Sequence, residues 1–180
     1  MFQFKPGKDD VHYCKPTSVA VTDDTQHFFV ADGYCNSRII KYSVRIDPSN
    51  GKHVVKKEFQ IGKADFSGFS FSSAPTAFNI PHSLALAEDK NMICVADREN
   101  GRVQCLNAQT GKFVRSLQPE SLGSTVYGIS YSKAEGWNEE NVLQNLLVTF
   151  LKMPRWSNLR RVRPGALRSA QSEEDTGLRD

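Results

Sequence analysis

Long apolar runs are missing from this 180-residue chain: no stretch of about 18 apolar residues occurs, so no segment is built to cross a bilayer as a helix. The opening Met1-Phe2-Gln3-Phe4-Lys5-Pro6-Gly7 likewise has no apolar core of the kind a signal peptide carries. Charge of one sign is scarce as well. Twenty-three Lys and Arg against 20 Asp and Glu leave a formal net charge of +3, too small to imply a polyanionic partner such as nucleic acid. The four cysteines contain no Cys-x2-Cys pair, which argues against a thiolate zinc site. The rest, 39% hydrophobic and 24% charged, suits one globular domain with a modest core.

Within that material the stretch Phe78 to Cys105 is the most patterned. Ser83-Leu84-Ala85-Leu86 alternates polar and apolar, Met92-Ile93-Cys94-Val95-Ala96 is an apolar run, and Arg102-Val103-Gln104-Cys105-Leu106 alternates again. Glu88-Asp89-Lys90-Asn91 and Asp97-Arg98-Glu99-Asn100-Gly101 separate them, and the Asn-Gly pair suits a tight hairpin turn. Three short strands in an antiparallel meander are predicted. The unit recurs earlier: Pro16 to Val21 matches Pro81 to Leu86 and Phe29 to Asp32 matches Cys94 to Asp97, both at an offset of 65. Asn36 to Ile39 then matches Asn100 to Val103 at 64, a one-residue slip in a loop. Repeats of a few antiparallel strands stack radially as propeller blades, because one blade cannot bury both its faces. The expected fold is all-β, a partial propeller over 1–135 with blade-like repeats at 12–43 and 78–117. An insertion at 44–77 and part of a third blade near 126–131 are also expected.

The cysteines fall at informative places in the repeat. Cys94 on a middle strand and Cys105 on the next are placed to face each other across a hairpin, where a disulfide is natural. Cys14 precedes the first strand and Cys35 lies in the following loop, so these two can meet as well. The alternative is four reduced cysteines packed in the core.

The segments CKPTSVAV, FVADGYCNSRIIKYS, NIPHSLAL and ICVADRENGRVQC closely resemble the lyase domain of peptidylglycine alpha-amidating monooxygenase, the peptidyl-alpha-hydroxyglycine alpha-amidating lyase. The resemblance runs from about Pro6 to Tyr131. It implies a six-bladed propeller of NHL type, acting in the secretory pathway, with zinc in its central cavity and a structural calcium. Its reaction splits a peptidyl-alpha-hydroxyglycine into an amidated peptide and glyoxylate, the last step of peptide-hormone amidation, and a monooxygenase domain accompanies it in the full-length product. Carried over by position, His82 in PHSLA corresponds to one of three zinc-binding histidines. Tyr34 in DGYCNSR corresponds to the tyrosine suited to acid-base work beside the substrate hydroxyl, and Arg98 in ADRENGR to an arginine suited to hold a carboxylate. The resemblance also pairs Cys14 with Cys35 and Cys94 with Cys105.

The chemistry accounts for these residue types. Three neutral histidines leave zinc an open position, and zinc lowers the pKa of a bound hydroxyl. A tyrosine within hydrogen-bond reach can exchange the proton, and an arginine fork pairs with a carboxylate. Without the resemblance, His82 reads as a satisfied strand-start histidine, Tyr34 as a packed aromatic and Arg98 as a solvated turn residue. His12, His27 and His53 match no ligand position and read as surface residues.

The chain also departs from the family. The blades expected to carry the other zinc histidines, a further arginine and an aspartate that helps bind calcium have no counterpart here, so the chain reads as a piece of something longer that is inactive alone. Residues 136–180 resemble nothing in the lyase and are expected to be poorly ordered, as from an altered splice end or read-through. Within them Val142 to Met153 is apolar but far too short to span a bilayer, and ambiguous between strand and helix. Arg155, Arg160, Arg161, Arg163 and Arg168 surround Trp156, yet Glu173-Glu174-Asp175 offsets them, which argues against nucleic-acid binding. Two functional classes remain, a lyase-family fragment and a non-catalytic NHL propeller module that binds peptide or protein.

Overall fold

In the computed structural model, which describes residues 6–62, 74–118, 125–132, 146–149 and 159–161, the alternating stretches are strands and the turn formers separate them. β1 (Ser18–Val21), β2 (His27–Asp32), β3 (Arg38–Ile46) and β4 (His53–Gly62) form one antiparallel sheet in chain order. β5 (Pro81–Ala87), β6 (Met92–Asp97), β7 (Arg102–Asn107) and β8 (Phe113–Leu117) form a second in the same way. β9 (Gly128–Tyr131) pairs with β10 (Leu146–Thr149), which pairs with β11 (Leu159–Arg161), in a third sheet. The sheets are neighbours through their first strands, β1 beside β5 and β5 beside β9, as blades of a propeller are.

Three features differ from the sequence reading. Residues 44–62, within the stretch expected as an insertion, belong to the first sheet: β3 runs on to Ile46 and β4 pairs back along it, from His53 opposite Ile46 to Gly62 opposite Arg38. A register shift between Lys41 and Tyr42 interrupts the alternation there, which hides the fourth strand from a period-two pattern. Residues 63–73 lie outside the described residues. In the tail, Leu146–Thr149 and Leu159–Arg161 are strands; 133–145, 150–158 and 162–180 lie outside the described residues. The Asn100-Gly101 pair closes a wider turn than a two-residue hairpin. Positions 98–101 join β6 to β7, with Gly101 at φ +60° and its N–H donating to the Arg98 carbonyl at 3.1 Å. In the first sheet the same connection is 33–37, a one-turn helix α1 (Gly33–Asn36) followed by Ser37 at φ +46°. That extra residue is the slip in the repeat.

The apolar run of β6 is buried at every position because it is covered on both faces. Ile93 and Val95 pack with Phe29, Ala31 and Ile39 of the first sheet, whereas Cys94 and Ala96 pack with Val126 and Ile129 at the start of the third. Period-two alternation therefore splits one strand between two inter-blade cores, each sealed by dispersion and burial. Cys94 and Cys105, opposite one another on β6 and β7, form a disulfide with Cα atoms 4.0 Å apart. Cys14 and Cys35 form the second at 5.7 Å, tying the segment before β1 to α1. Among the described residues no cysteine is free.

The first and second sheets each contain a buried ionic clamp. Asp32, at the end of β2, accepts through Oδ2 from Asn36 Nδ2 at 2.6 Å and from Arg38 Nη2 at 2.9 Å, and through Oδ1 from the Cys14 amide at 3.1 Å. Arg38 Nη2 also donates to the His12 carbonyl at 2.6 Å. Asp97, at the end of β6, repeats this with Asn100 Nδ2 at 2.8 Å, Arg102 Nε at 2.8 Å and the Asn79 amide at 2.7 Å. Arg102 Nη2 then reaches the carbonyls of Ala74 and Ala77 at 2.9 and 2.8 Å. Both clamps thus bind the segment that enters the blade to the far end of its second and third strands. Asp32 and Asp97 are fully buried, so their desolvation is offset only while every partner stays in place.

Two predictions follow from these ties. Asp97→Ala, which strands a buried guanidinium, is expected to lower unfolding stability by about 3–5 kcal/mol, whereas Glu58→Ala, which removes the exposed Lys56 pair, costs under about 1 kcal/mol in the same urea titrations. Reduction of both disulfides, which close separations of 21 and 11 residues, is expected to remove about 3 kcal/mol each in the chain-entropy account. A melting curve unmoved by reductant would contradict that contribution.

Candidate functional site

The two repeated connections lie at the same end of their sheets, and they carry the polar aromatic and basic side chains. Tyr34 is the second residue of α1, Arg98 the first after β6, and His82 the second residue of β5. Tyr127, immediately before β9, completes the group from the third sheet. A propeller presents one such connection from each blade to a common rim.

Contacts among the four are close. Arg98 Nη1 donates to the Tyr34 hydroxyl oxygen at 2.9 Å, and Arg98 Nε donates to Glu99 Oε1 at 2.6 Å. The guanidinium carbon lies 5.1 Å from the ring centres of both Tyr34 and Tyr127, within cation–π range. The His82 ring stands edge-on to both tyrosines, with centroids 6.1 Å from Tyr34 and 5.3 Å from Tyr127. His82 Nδ1 lies 2.8 Å from the Tyr127 carbonyl oxygen. A carbonyl only accepts, so Nδ1 is the donor and neutral His82 keeps its lone pair on Nε2.

Burial alone would lower the pKa of Arg98, but hydrogen bonding to Glu99, its charge and the Tyr34 oxygen together raise it above the ordinary arginine value. Arg98 is therefore a permanent cation at this rim, and its Nη2 has no hydrogen-bond partner among the described residues. Tyr34 is 47% exposed, open to a reactant. Space behind it is tight. A Cβ on Gly33 would collide with the Pro81 carbonyl oxygen and come within 2.9 Å of Thr17 Cγ2, and these two neighbours are themselves joined by a 2.6 Å bond from Thr17 Oγ1 to the Pro81 carbonyl.

Tyr34, His82 and Arg98, singled out by sequence, are thus together although Tyr34 comes from the first sheet and the other two from the second. Tyr127 and Glu99 were not singled out; nothing in either position's local pattern distinguishes it from a packed aromatic or a turn carboxylate. The clamps had a visible signal, an Asp, Asn and Arg at 32, 36 and 38 that recurs at 97, 100 and 102 across the slip. His12 and His53 are exposed and His27 is half-buried on β2, so the surface reading holds for two of the three. An imidazole that donates Nδ1–H to a carbonyl is oriented as metal-ligating histidines are, with Nε2 available. Among the described residues, however, no group of three His, Cys, Asp or Glu could hold a metal ion. His82 fits one ligand position, and further ligands would have to come from outside those residues.

The chain matches the NHL repeat family over residues 13–42 and 78–106, the two sheets that carry the clamps. It is 45% identical over 129 residues to peptidyl-glycine alpha-amidating monooxygenase B of Xenopus laevis, covering 72% of this chain and 13% of the relative. Identity is 48% over 127 residues to the Mus musculus monooxygenase, covering 71% and 12%. It is 42% over 134 residues to peptidyl-alpha-hydroxyglycine alpha-amidating lyase 1 of Drosophila melanogaster, covering 74% and 23%. The chain therefore spans a small part of these relatives' length. In fold it is similar to the WD40 repeats of RRP9, at TM-score 0.53 and 17% identity over 77% of this chain and 33% of that one. It is similar also to the Cps50 (Swd1) beta-propeller domain of Myceliophteria thermophila, at 0.50 and 15% over 82% and 41%. The repeats, the sheets and these folds together define a partial NHL-repeat β-propeller. More particularly, the chain is a homologue of the peptidyl-alpha-hydroxyglycine alpha-amidating lyases and of the monooxygenases that share this segment.

Gly33→Ala is expected to cost about 1–3 kcal/mol, because the Pro81 carbonyl and Thr17 have no room to give. Urea unfolding within 0.5 kcal/mol of wild type, a bound of roughly the size seen for neutral surface changes, would contradict this packing.

Proposed function

We propose that this chain forms part of the cavity of a peptidyl-alpha-hydroxyglycine alpha-amidating lyase that acts in the secretory pathway. The observation that carries the reading is the meeting of Tyr34, His82 and Arg98 at one rim, in a chain 42–48% identical to the named lyase and monooxygenases above. The substrate class is a peptide ending in alpha-hydroxyglycine, which the monooxygenase part of such relatives would supply.

The reaction removes the hydroxyl proton of a carbinolamide carbon while the C–N bond breaks. The oxygen becomes the aldehyde carbonyl of glyoxylate, and the departing amide nitrogen takes up a proton. Tyr34 suits the proton relay. Its oxygen accepts from Arg98, so its own O–H is free to hydrogen-bond a reactant, and it is open to the cavity. Arg98 suits the carboxylate, since it is charged and its Nη2 edge, beside that oxygen, has no hydrogen-bond partner among the described residues. His82 would supply one imidazole to a zinc ion through Nε2, and zinc when bound would polarise the reacting oxygen. A second reading, a non-catalytic NHL-propeller module that binds peptide or protein, is favoured by one fact: the Arg98 cation beside the exposed Tyr34 can hold a carboxylate without any metal.

The test is a chimera in which the matching segment of the mouse monooxygenase is replaced by that of this chain. Glyoxylate release from an alpha-hydroxyglycine peptide is expected within about ten-fold of the parent, and Tyr34→Phe in the chimera is expected to lower kcat by roughly 100-fold or more. A folded chimera that binds peptide but releases no glyoxylate would support the binding module instead. Normal turnover by the Phe variant would remove Tyr34 from the reaction.

A further inference from the structure

Tyr127 contacts both His82 and Arg98, through different parts of the residue. Its carbonyl oxygen accepts from His82 Nδ1 at 2.8 Å, its ring meets the His82 ring edge at 5.3 Å, and its ring face lies 5.1 Å from the Arg98 guanidinium carbon. Its own place is fixed by its neighbour. Val126 is fully buried in the core between the second and third sheets, and its amide donates to the Arg98 carbonyl at 3.3 Å. Position 127 therefore stands between the imidazole and the guanidinium by virtue of a buried anchor one residue away.

We propose that Tyr127 is the positioning residue of this site: its carbonyl fixes His82 with Nε2 available, and its ring holds Arg98 so that the Nη2 edge faces an incoming carboxylate. The carboxylate part rests on the lyase reading; the two orientations do not. The first sheet supports the logic. Thr17 begins the first blade as His82 begins the second, at the offset of 65, and Thr17 Oγ1 donates to the Pro81 carbonyl of the next blade at 2.6 Å. His82 makes the same kind of bond to its own next blade, yet an imidazole, unlike a hydroxyl, has a second nitrogen left over. The inter-blade tie thereby becomes the device that selects the tautomer. Arg98 is restrained on three sides, by Glu99 at Nε, by Tyr34 at Nη1 and by the two rings, which leaves Nη2 as its remaining edge among the described residues.

The test uses nitrogen-15 NMR of the full chain and of Tyr127→Phe and Tyr127→Leu. In wild type, neutral His82 is expected to show a protonated Nδ1 and an unprotonated Nε2, and the Arg98 Nε–H to exchange slowly with water. Phe keeps the ring face and should retain both signatures. Leu keeps bulk without the ring face and should speed Arg98 Nε–H exchange and weaken glyoxylate binding, each by about ten-fold. A protonated Nε2 in wild-type His82 overturns the tautomer assignment, and unchanged Arg98 exchange in the Leu variant overturns the role of the ring. Should the Leu variant not fold, the wild-type tautomer and the Phe variant decide, since faster exchange in Phe would move the role from the ring to the hydroxyl and overturn the proposal. Failure of glyoxylate to bind wild type counts against the lyase reading alone, because both NMR signatures are independent of it.

Discussion

A buried carboxylate at the end of the second strand, held by an asparagine, an arginine and one main-chain amide, and in the second sheet also by Gln104 Nε2 at 3.0 Å, is the interaction on which the rest depends. Asp32 and Asp97 each occupy that place, and each ties the segment entering the blade to the connection between its second and third strands. An ion pair in this setting contributes little net stability relative to an apolar replacement, but once built it makes every alternative arrangement costly. The connection between the second and third strands must then take one course, because both of its ends and its Asn are engaged. Tyr34 and Arg98 ride on those connections. Their meeting is a consequence of two clamps of the same design acting in neighbouring blades.

The blades are joined at their inner edges by hydroxyls as well as by apolar contact. Ser18 Oγ accepts from the Leu84 amide at 3.2 Å, and Ser83 Oγ, its equivalent one repeat later, accepts from the Ile129 amide at 3.3 Å. Thr17 and His82, one residue earlier, donate across the same boundaries. The site is thus built from the propeller's ordinary stitching. The candidate site differs from that stitching by substitution at equivalent places: an imidazole where the first blade has a hydroxyl, and an arginine where the first connection has Gly33.

Much of this was legible in the sequence. Strands β1, β5 and β7 were visible by their alternation, β2 and β6 as apolar runs at the same place in the repeat, and the start of β3 by its match to β7. The fourth strand of the first sheet was not, because a register shift at Lys41 breaks its partner's alternation and Lys56-Lys57-Glu58 reads as solvated loop. Tyr34, His82 and Arg98 were legible only through resemblance to the amidating lyases. Their individual settings, beside a cysteine, after a proline and in a turn, favoured blander roles. Tyr127 was beyond reach, since its importance lies in a main-chain carbonyl and in what its ring covers, neither of which leaves a pattern in residue type. Each disulfide was within reach as a pair, but the choice between disulfide and packed thiols needed the resemblance.

Three side chains from two blades share one rim, and ring-to-ring nuclear Overhauser effects measure that sharing directly. Cross-peaks from the Tyr34 ring to the His82 ring and to the Arg98 side chain are predicted in the oxidised wild-type chain, together with cross-peaks from His82 to Tyr127. A folded chain with His82 to Tyr127 cross-peaks but none from Tyr34 to either His82 or Arg98 would contradict it.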